Sequence, residues 1–282
     1  MNLRNFLAIF SASVIIVGCS DYNRVLKSND ALYKFEAAKE YYLNGHYNRV
    51  AMLLNEVLPV LRGTEVGEEA LFMHGMATFY AKDYDAAATI FRKYCTDFPR
   101  GIFTEQARYH SGLALYMSVP EVKLDQTPTY DAVRELSKFV EQYPRSMLAE
   151  DARNKIFELQ DQLVEKEWLS AKQYYDLGSY FGNCSSGGSN YQACITTAEN
   201  ALREFPLMTR REQFVFLVLR AKFDLAAQSV PEKRAERLRA AIEEYKNFVD
   251  EFPESTNRKE ADALYKKYAN RVELPDTTEE DV

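Results

Sequence analysis

The sequence predicts an all-α fold, a right-handed solenoid of about five tetratricopeptide-like helix pairs followed by a C-terminal capping helix. Gly and Pro are few, at 11 and 9 among 282 residues, which favours helices over loop-rich β structure. Small residues recur where the two helices of a pair must approach closely. Helical runs end in an aromatic residue followed by Pro, at Phe98-Pro99, Tyr143-Pro144, Phe205-Pro206 and Phe252-Pro253.

The aromatic-Pro marks set the register of the repeats. A tetratricopeptide repeat has about 34 residues, two helices and a Pro at its end, and the longer intervals here indicate repeats with insertions. Repeats one to three are predicted over residues 31–144. Repeats four and five with the capping helix are predicted over 145–272, and 273–282 is expected to be a disordered acidic tail. The small residues of the pairs include Ala38, Gly75, Ala87, Gly112, Ala132, Ala171, Gly178, Ala198, Ala221 and Ala241.

The turns after the marks carry residues that favour helix starts. Ser146 and Ser255 follow their Pro closely, and a Ser or Thr hydroxyl at that place caps the next helix. Thr209 and Glu212 have the spacing of a capping box. We therefore expect Thr209 to start the first helix of repeat five.

The N-terminus has the pattern of a secreted, lipid-anchored protein. Residues 1–18 read as a signal peptide, with Arg4 before an apolar stretch over residues 6–17 that is too short to span a bilayer. The stretch ends in Ile-Val-Gly before Cys19, which resembles a bacterial lipobox and implies palmitate and diacylglycerol at that Cys. Ser20 resembles an outer-membrane sorting signal, and residues 19–30 are predicted to be a lipidated tether. The alternative is an ordinary secretory signal with a chance Cys.

Two insertions interrupt the repeats. Residues 117–128 contain two Pro and are predicted to form a loop. Residues 179–190 are rich in Gly and Ser and are followed by Cys194, with Cys184 inside the segment. Because an oxidising compartment permits disulfides, we predict a Cys184–Cys194 bridge. The alternative is that Cys194 is the small residue of its helix and Cys184 is free.

No catalytic, metal-binding or cofactor-binding pattern is present. His46, His74 and His110 lack a second ligand at metal spacing, and no Gly-rich phosphate loop or Gly-x-Ser-x-Gly elbow occurs. The net charge of −7 comes without a basic stripe, so nucleic-acid binding is not expected. An enzyme of the lytic transglycosylase kind would need an added catalytic domain, and the repeats occupy residues 31–272.

Residues 125–178 carry a specific resemblance. An acidic loop ending in Pro, then YPRS, a long helix and the stretch AKQYYDLG occur in the order found in the BamD (YfiO) lipoproteins of the outer-membrane β-barrel assembly machinery. The resemblance implies a periplasmic location on the outer membrane, a BamA-type barrel-assembly partner and unfolded outer-membrane proteins as substrates. Relatives can carry Arg early in the second helix of repeat four; Thr197 stands there, and Arg203 is the nearest downstream basic residue.

Tyrosines on the first helices of the pairs are the candidate binding residues. In repeats one and two we expect Tyr41, Tyr42, Tyr80 and Lys82 to present aromatic rings and a charge to barrel strands. In repeat four, Tyr174 and Tyr175 are candidates for partner docking. The alternative is that these rings only pack between helices. A different envelope adaptor, in division or nutrient uptake, is the second functional hypothesis.

Overall fold

The computed structural model describes residues 21–178 and 189–269, and within them the chain is helical without strands. Eleven helices follow a short helical segment over residues 21–26. They are α1 (Ala31–Leu43), α2 (Tyr47–Leu61), α3 (Gly67–Tyr80), α4 (Tyr84–Asp97), α5 (Thr104–Met117), α6 (Thr127–Gln142), α7 (Ala149–Asp176), α8 (Asn190–Glu204), α9 (Arg211–Ala227), α10 (Pro231–Glu251) and α11 (Arg258–Ala269). The predicted all-α class is confirmed, with five helix pairs and a last helix.

The helices belong to two compact units. The boundary between the units falls within α7 in the sequence, between Leu159 and Gln160. In the first unit α1 to α6 pack in chain order, with contacts between each pair of neighbours from α1 and α2 to α5 and α6. In the second unit α9 packs against α8, α10 and α11, and α10 also contacts α11. Packing between sequence neighbours is how a helical solenoid builds its core, so each unit has the arrangement that the repeats predict.

The aromatic-Pro marks end four helices in one common geometry. Phe98, Tyr143, Phe205 and Phe252 are the C-caps of α4, α6, α8 and α10, with φ between −122 and −128° and ψ between 58 and 67°. The following Pro ring clashes with a helical conformation at the preceding residue, so the helix must stop there. Each aromatic residue still donates its backbone N–H to the carbonyl four residues earlier.

Small residues allow the paired helices to touch. A Cβ added at Gly75 of α3 would lie 2.6 Å from a ring carbon of Phe91, and one at Gly112 of α5 would lie 2.7 Å from Leu136. In the second unit, a Cβ at Gly178 would lie 2.1 Å from the Tyr191 ring. The predicted alanines are fully buried at the same contacts, among them Ala38, Ala87, Ala132, Ala171, Ala198, Ala221 and Ala241. Close approach through small residues is therefore confirmed.

Three of the turns are fastened to an acidic residue at the start of the preceding repeat. Glu68 of α3 accepts from the Ile102 N–H at 2.7 Å, and Glu105 of α5 accepts from Ser146 Oγ at 2.6 Å. Glu212 of α9 accepts from Ser255 Oγ at 2.6 Å. These bonds fix where the next helix begins beside the previous pair.

The predicted capping box at Thr209 is wrong. Its hydroxyl bonds Asp161 at 3.3 Å, and α9 begins after Arg210 without a side-chain cap. Arg210 pairs with Glu165 at 2.5 Å, so the turn is held by α7 and not by its own helix. Ser146 and Ser255 accept from the backbone N–H groups of Leu148 and Asn257, which lie just before α7 and α11. The two hydroxyls therefore fix the turns and do not cap an N–H of the first helical turn, as was expected of them.

Part of the predicted tether is packed. Residues 21–26 are helical and Val25 is only 5% exposed, because it joins the apolar core of the first helix pair. Tyr22 and Leu26 also pack against that core. The signal peptide, Cys19, residues 179–188 with Cys184, and the tail over 273–282 lie outside the described residues.

The insertion near residue 120 is a loop, as predicted, and one buried side chain organises it. The amide nitrogen of Gln126 donates to the carbonyl oxygens of Glu121, Val122 and Leu124. Its amide oxygen accepts from the Thr129 hydroxyl at 2.7 Å. A single amide therefore closes the loop onto the start of α6.

The contact at Gly75 gives a test of the packing. Gly75→Ala should destabilise the chain by about 1–3 kcal/mol, because the added methyl overlaps Phe91 and this outweighs the helix propensity of Ala. Unfolding in urea, followed by circular dichroism, measures the change. The second substitution Phe91→Leu makes room for the methyl, so the double variant should lose less than the two single losses added together. Simple additivity would show that the two residues do not compete for space.

Candidate partner-binding surfaces

Three tyrosines of the first two repeats form one cluster. The ring of Tyr47 stacks on that of Tyr80, with centroids 4.9 Å apart, and Tyr42 meets the two edge-on at 5.4 and 6.3 Å. Tyr80 is 46% exposed, while Tyr42 and Tyr47 are partly buried. We call Tyr42, Tyr47 and Tyr80 the tyrosine cluster. The exposed Tyr80 presents its ring and hydroxyl to solvent, and the partly buried rings of Tyr42 and Tyr47 pack against it.

Short turns bring the members of the tyrosine cluster together. Tyr42 lies near the end of α1, Tyr47 begins α2, and Tyr80 ends α3. Gly45 closes the first turn at φ 74° and Lys82 closes the turn after α3 at φ 67°. Burial raises the pKa of Tyr42 to about 12, so its hydroxyl stays protonated and able to donate near neutral pH.

Tyr41 lies in a different cluster from its neighbour. Its ring meets Tyr22 edge-on at 5.6 Å, and the Arg49 guanidinium lies over both rings at 5.7 and 5.1 Å. Successive residues of a helix point about 100° apart, so Tyr41 and Tyr42 cannot share one face. The expectation of one surface holding Tyr41, Tyr42 and Tyr80 is therefore corrected: Tyr42 and Tyr80 are together, and Tyr41 is not with them.

Lys82 is exposed and lies in the turn after α3, two residues after Tyr80. Its backbone N–H donates to Phe79 at 2.9 Å, and its positive φ serves the turn. A non-Gly residue with positive φ is uncommon, so the turn after α3 determines the backbone conformation of Lys82.

In the second unit, Tyr174 and Tyr175 differ. Tyr175 donates its hydroxyl to Asp224 Oδ2 at 2.7 Å, and the Arg220 guanidinium lies 4.8 Å from its ring centroid. Burial and the bond to Asp224 raise its pKa. Tyr174 is 39% exposed. Tyr175 thus fastens α7 to α9, and Tyr174 is the one of the two that offers its ring to solvent.

A cleft that the sequence does not reveal opens beside Tyr175, with a volume of about 230 Å³, and Arg220 contacts the Tyr175 ring and lines the cleft. Trp168 of α7 and Phe216 of α9 form apolar walls, and Arg220 and Glu260 form an ion pair of 3.3 Å across it. We call it the Trp168 cleft. An isolated Trp offers no periodic signal of its own, and only the packing of α7, α9 and α11 brings these residues together.

Arg203 is exposed in the last turn of α8 and donates to Asn200 on the same helix. Cys194 of α8 is a fully buried free thiol, and burial raises its pKa to about 12. Cys194 thus occupies the position of the small residue in its helix. This position agrees with the alternative to the predicted bridge. Cys184 lies outside the described residues, so the disulfide stays a prediction.

The described residues contain no group of three or more His, Cys, Asp or Glu side chains placed to hold a metal ion. His110 packs among aromatic rings, 5.5 Å from Phe91 and 6.0 Å from Phe79. Within the same residues, no helix combines the length and the apolar character needed to cross a bilayer.

The two adjacent tyrosines give a matched test. Tyr175→Phe should lower the free energy of unfolding by about 1–2 kcal/mol, because it removes the hydroxyl that bonds Asp224. Tyr174→Phe should change it by less than about 0.5 kcal/mol, as is usual at an exposed site. Urea unfolding of both variants measures the difference. Equal losses of unfolding free energy in the two variants would show that the Tyr175 hydroxyl does not hold α7 against α9.

Comparison with known proteins agrees with this architecture. The sequence model of the YfiO family, described as an outer membrane lipoprotein, matches residues 31–185. An outer membrane protein assembly factor BamD of Caulobacter vibrioides is 26% identical over 134 residues, 48% of this chain and 44% of the relative. The BamD of Rickettsia prowazekii is 25% identical over 128 residues, 45% of this chain and 51% of the relative. The chain thus spans about half the length of these curated relatives.

A solved structure, the TPR2AB domain of yeast Sti1 in a pHSP90 complex, aligns over 85% of this chain and 98% of its own. Its identity is 13% and its TM-score 0.39, too distant to add to the fold already described. The family match is different in kind, because it covers more than half of the sequence and includes the long α7 helix. The chain belongs to the YfiO family of outer membrane lipoproteins.

Proposed function

We propose that this chain is a non-enzymatic scaffold of outer-membrane protein assembly, anchored by lipid at Cys19 on the periplasmic face of the outer membrane. The observation that carries the proposal is the family match over residues 31–185, since both curated relatives are named assembly factors. A scaffold needs surfaces instead of a reaction centre. The tyrosine cluster and the Trp168 cleft are two such surfaces, each within one unit.

The proposed anchor rests on the sequence around Cys19. A signal-peptide core followed by Ile-Val-Gly-Cys is what a lipoprotein needs, and more than one acyl chain makes anchoring stable. The packed segment over residues 21–26 then begins two residues after the lipidated Cys. On this proposal the first repeat lies close to the membrane surface.

The tyrosine cluster is the proposed receiver of unfolded outer-membrane proteins. Strands of a barrel alternate apolar and polar residues and carry aromatic girdles. Stacked rings with hydroxyl tips fit such segments, because they bury apolar area and still offer hydrogen bonds. Tyr80 is the most accessible of the three and is the residue we assign to the first contact.

The Trp168 cleft is the proposed docking site for a BamA-type barrel-assembly protein, and the exposed Tyr174 is a second proposed contact. Aromatic and Arg side chains are the common anchors of protein interfaces, and both kinds meet here. Arg203, exposed in the last turn of α8, is a further proposed partner-binding residue of the second unit. A division or nutrient-uptake adaptor is the second candidate function, which the same surfaces would allow and the names of the relatives do not favour.

The anchor gives a direct test. Cys19→Ala should move the chain from the membrane fraction to the soluble fraction of the envelope, because it removes the sulfur that carries the lipid. Fractionation without detergent, followed by immunoblotting, measures the distribution. Cys95→Ala is the matched control, because Cys95 is buried in the core and should leave the chain on the membrane. Membrane retention of the Cys19 variant would contradict the proposed anchor.

The receiving surface gives a second test. Tyr80→Ala should weaken binding of a fluorescent peptide from the last strand of a barrel protein by about tenfold, close to 1.4 kcal/mol. Tyr130→Ala is the control, since Tyr130 is similarly exposed on α6 and lies outside the tyrosine cluster. Fluorescence anisotropy measures both affinities. Equal affinities for the two variants would exclude the tyrosine cluster as the receiver.

A further inference from the structure

A cavity of about 540 Å³ lies in the first unit between α2, α3 and α4. Its walls are apolar side chains: Leu58 and Pro59 from α2, Leu71 from α3, Ile90 from α4 and Phe98 from the end of α4. The volume falls within the range of about 300–1,000 Å³ that small-molecule sites occupy. It contains no residue of the tyrosine cluster or of the Trp168 cleft.

The packing of three helix ends leaves this cavity unfilled. Pro59 lacks a backbone N–H, so α2 ends with one fewer internal bond beside the cavity. Gly63 turns the chain at φ 86°, where a side chain would be strained. Gly67 begins α3 so close to α2 that an added Cβ would lie 2.5 Å from the Leu61 carbonyl oxygen. Neither glycine can carry a side chain that would plug the space.

Positive charge lies at the rim of the cavity. Arg62 and Lys93 both pair with the carboxylate of Asp97, at 3.5 and 2.8 Å. Two cations share one anion, so one positive charge is left over at the rim. Arg62 is 71% exposed, which leaves its guanidinium free to turn toward an incoming anion.

A buried imidazole is the polar group of the interior. His74 is 9% exposed and lines the cavity. Burial lowers its pKa to about 4, so the ring is neutral near pH 7 and has one donor and one acceptor nitrogen. No hydrogen bond to this ring comes from the described residues. Each of its two nitrogens can therefore form a hydrogen bond with a polar atom of a molecule that enters the cavity.

We propose that this cavity binds a single-chain amphiphile with an anionic headgroup. The apolar chain lies along Leu58, Leu71 and Ile90, and the headgroup lies between Arg62 and Lys93. A peptide fits less well, because many of its backbone amides would be buried against apolar walls without a hydrogen-bond partner. An acyl chain has no such groups to satisfy.

Four ligands of equal chain length test the headgroup. Calorimetric titration of the full chain compares decanoate, decyl phosphate, decanol and decyltrimethylammonium, each below its micelle concentration. We expect both anions to bind at least tenfold tighter than the cation, with decanol between them. Tighter binding of decanoate identifies a carboxylate headgroup, and tighter binding of decyl phosphate identifies a phosphate headgroup. Equal binding of anion and cation, or no binding of any of the four, would overturn the proposal.

Neighbouring residues supply matched variants. Ile90→Trp fills the cavity and should weaken binding of the preferred anion at least tenfold, while Thr89→Trp, one residue away and exposed, should leave it within twofold. Lys93→Gln should reduce the preference for anions, and Arg92→Gln should not. Anion binding by Ile90→Trp at the parent affinity would place the ligand elsewhere and refute the site.

A measurement on the unsubstituted chain covers the case in which Ile90→Trp fails to fold. A doxyl-labelled fatty acid should broaden the His74 ring signals more strongly than those of His46, which lines a different cleft. Equal broadening of the two rings, or displacement of the probe only by a peptide ending in Phe and not by decanoate, would contradict the proposal.

Discussion

The close approach of paired helices through residues without a bulky side chain is the constraint on which the rest of the structure depends. Gly75 faces Phe91, Gly112 faces Leu136 and Gly178 faces Tyr191, each at a distance that leaves no room for a Cβ. Close packing of this kind transmits strain, because interiors have few voids to absorb an added methyl. These glycine contacts fix the spacing between the two helices of a pair. The aromatic rings at the helix ends take their positions from that spacing, and the exposed aromatic surfaces follow from it.

Local signals explain how much of the fold the sequence could predict. The pre-proline effect acts between adjacent residues, so Phe98-Pro99 and its equivalents mark helix ends without knowledge of the rest of the chain. Small residues at helix contacts are likewise readable from repeat spacing. The turn at Thr209 shows the limit: its partner Asp161 is far away in sequence, so a capping box was the wrong expectation.

The surfaces were harder to predict than the fold, for the same reason. Tyr41 and Tyr42 are neighbours in sequence but point to different clusters, and Tyr80 joins Tyr42 only because two turns bring three helix ends together. The Trp168 cleft needs residues from α7, α9 and α11. Val25 was expected in a tether because its neighbours are polar, yet it contributes to the core of the first pair. Side chains that act through distant partners leave no local pattern.

The chain combines a helical scaffold of the YfiO family with two proposed protein-binding surfaces and one proposed amphiphile site. On this proposal it works by holding other polypeptides during outer-membrane assembly. The decisive experiment is purification of the tagged chain from its own membranes in mild detergent, with mass spectrometry of the bound proteins. We expect a barrel-assembly protein of the BamA type in near-equal amount; a complex of division or nutrient-uptake proteins without it would refute the proposed function.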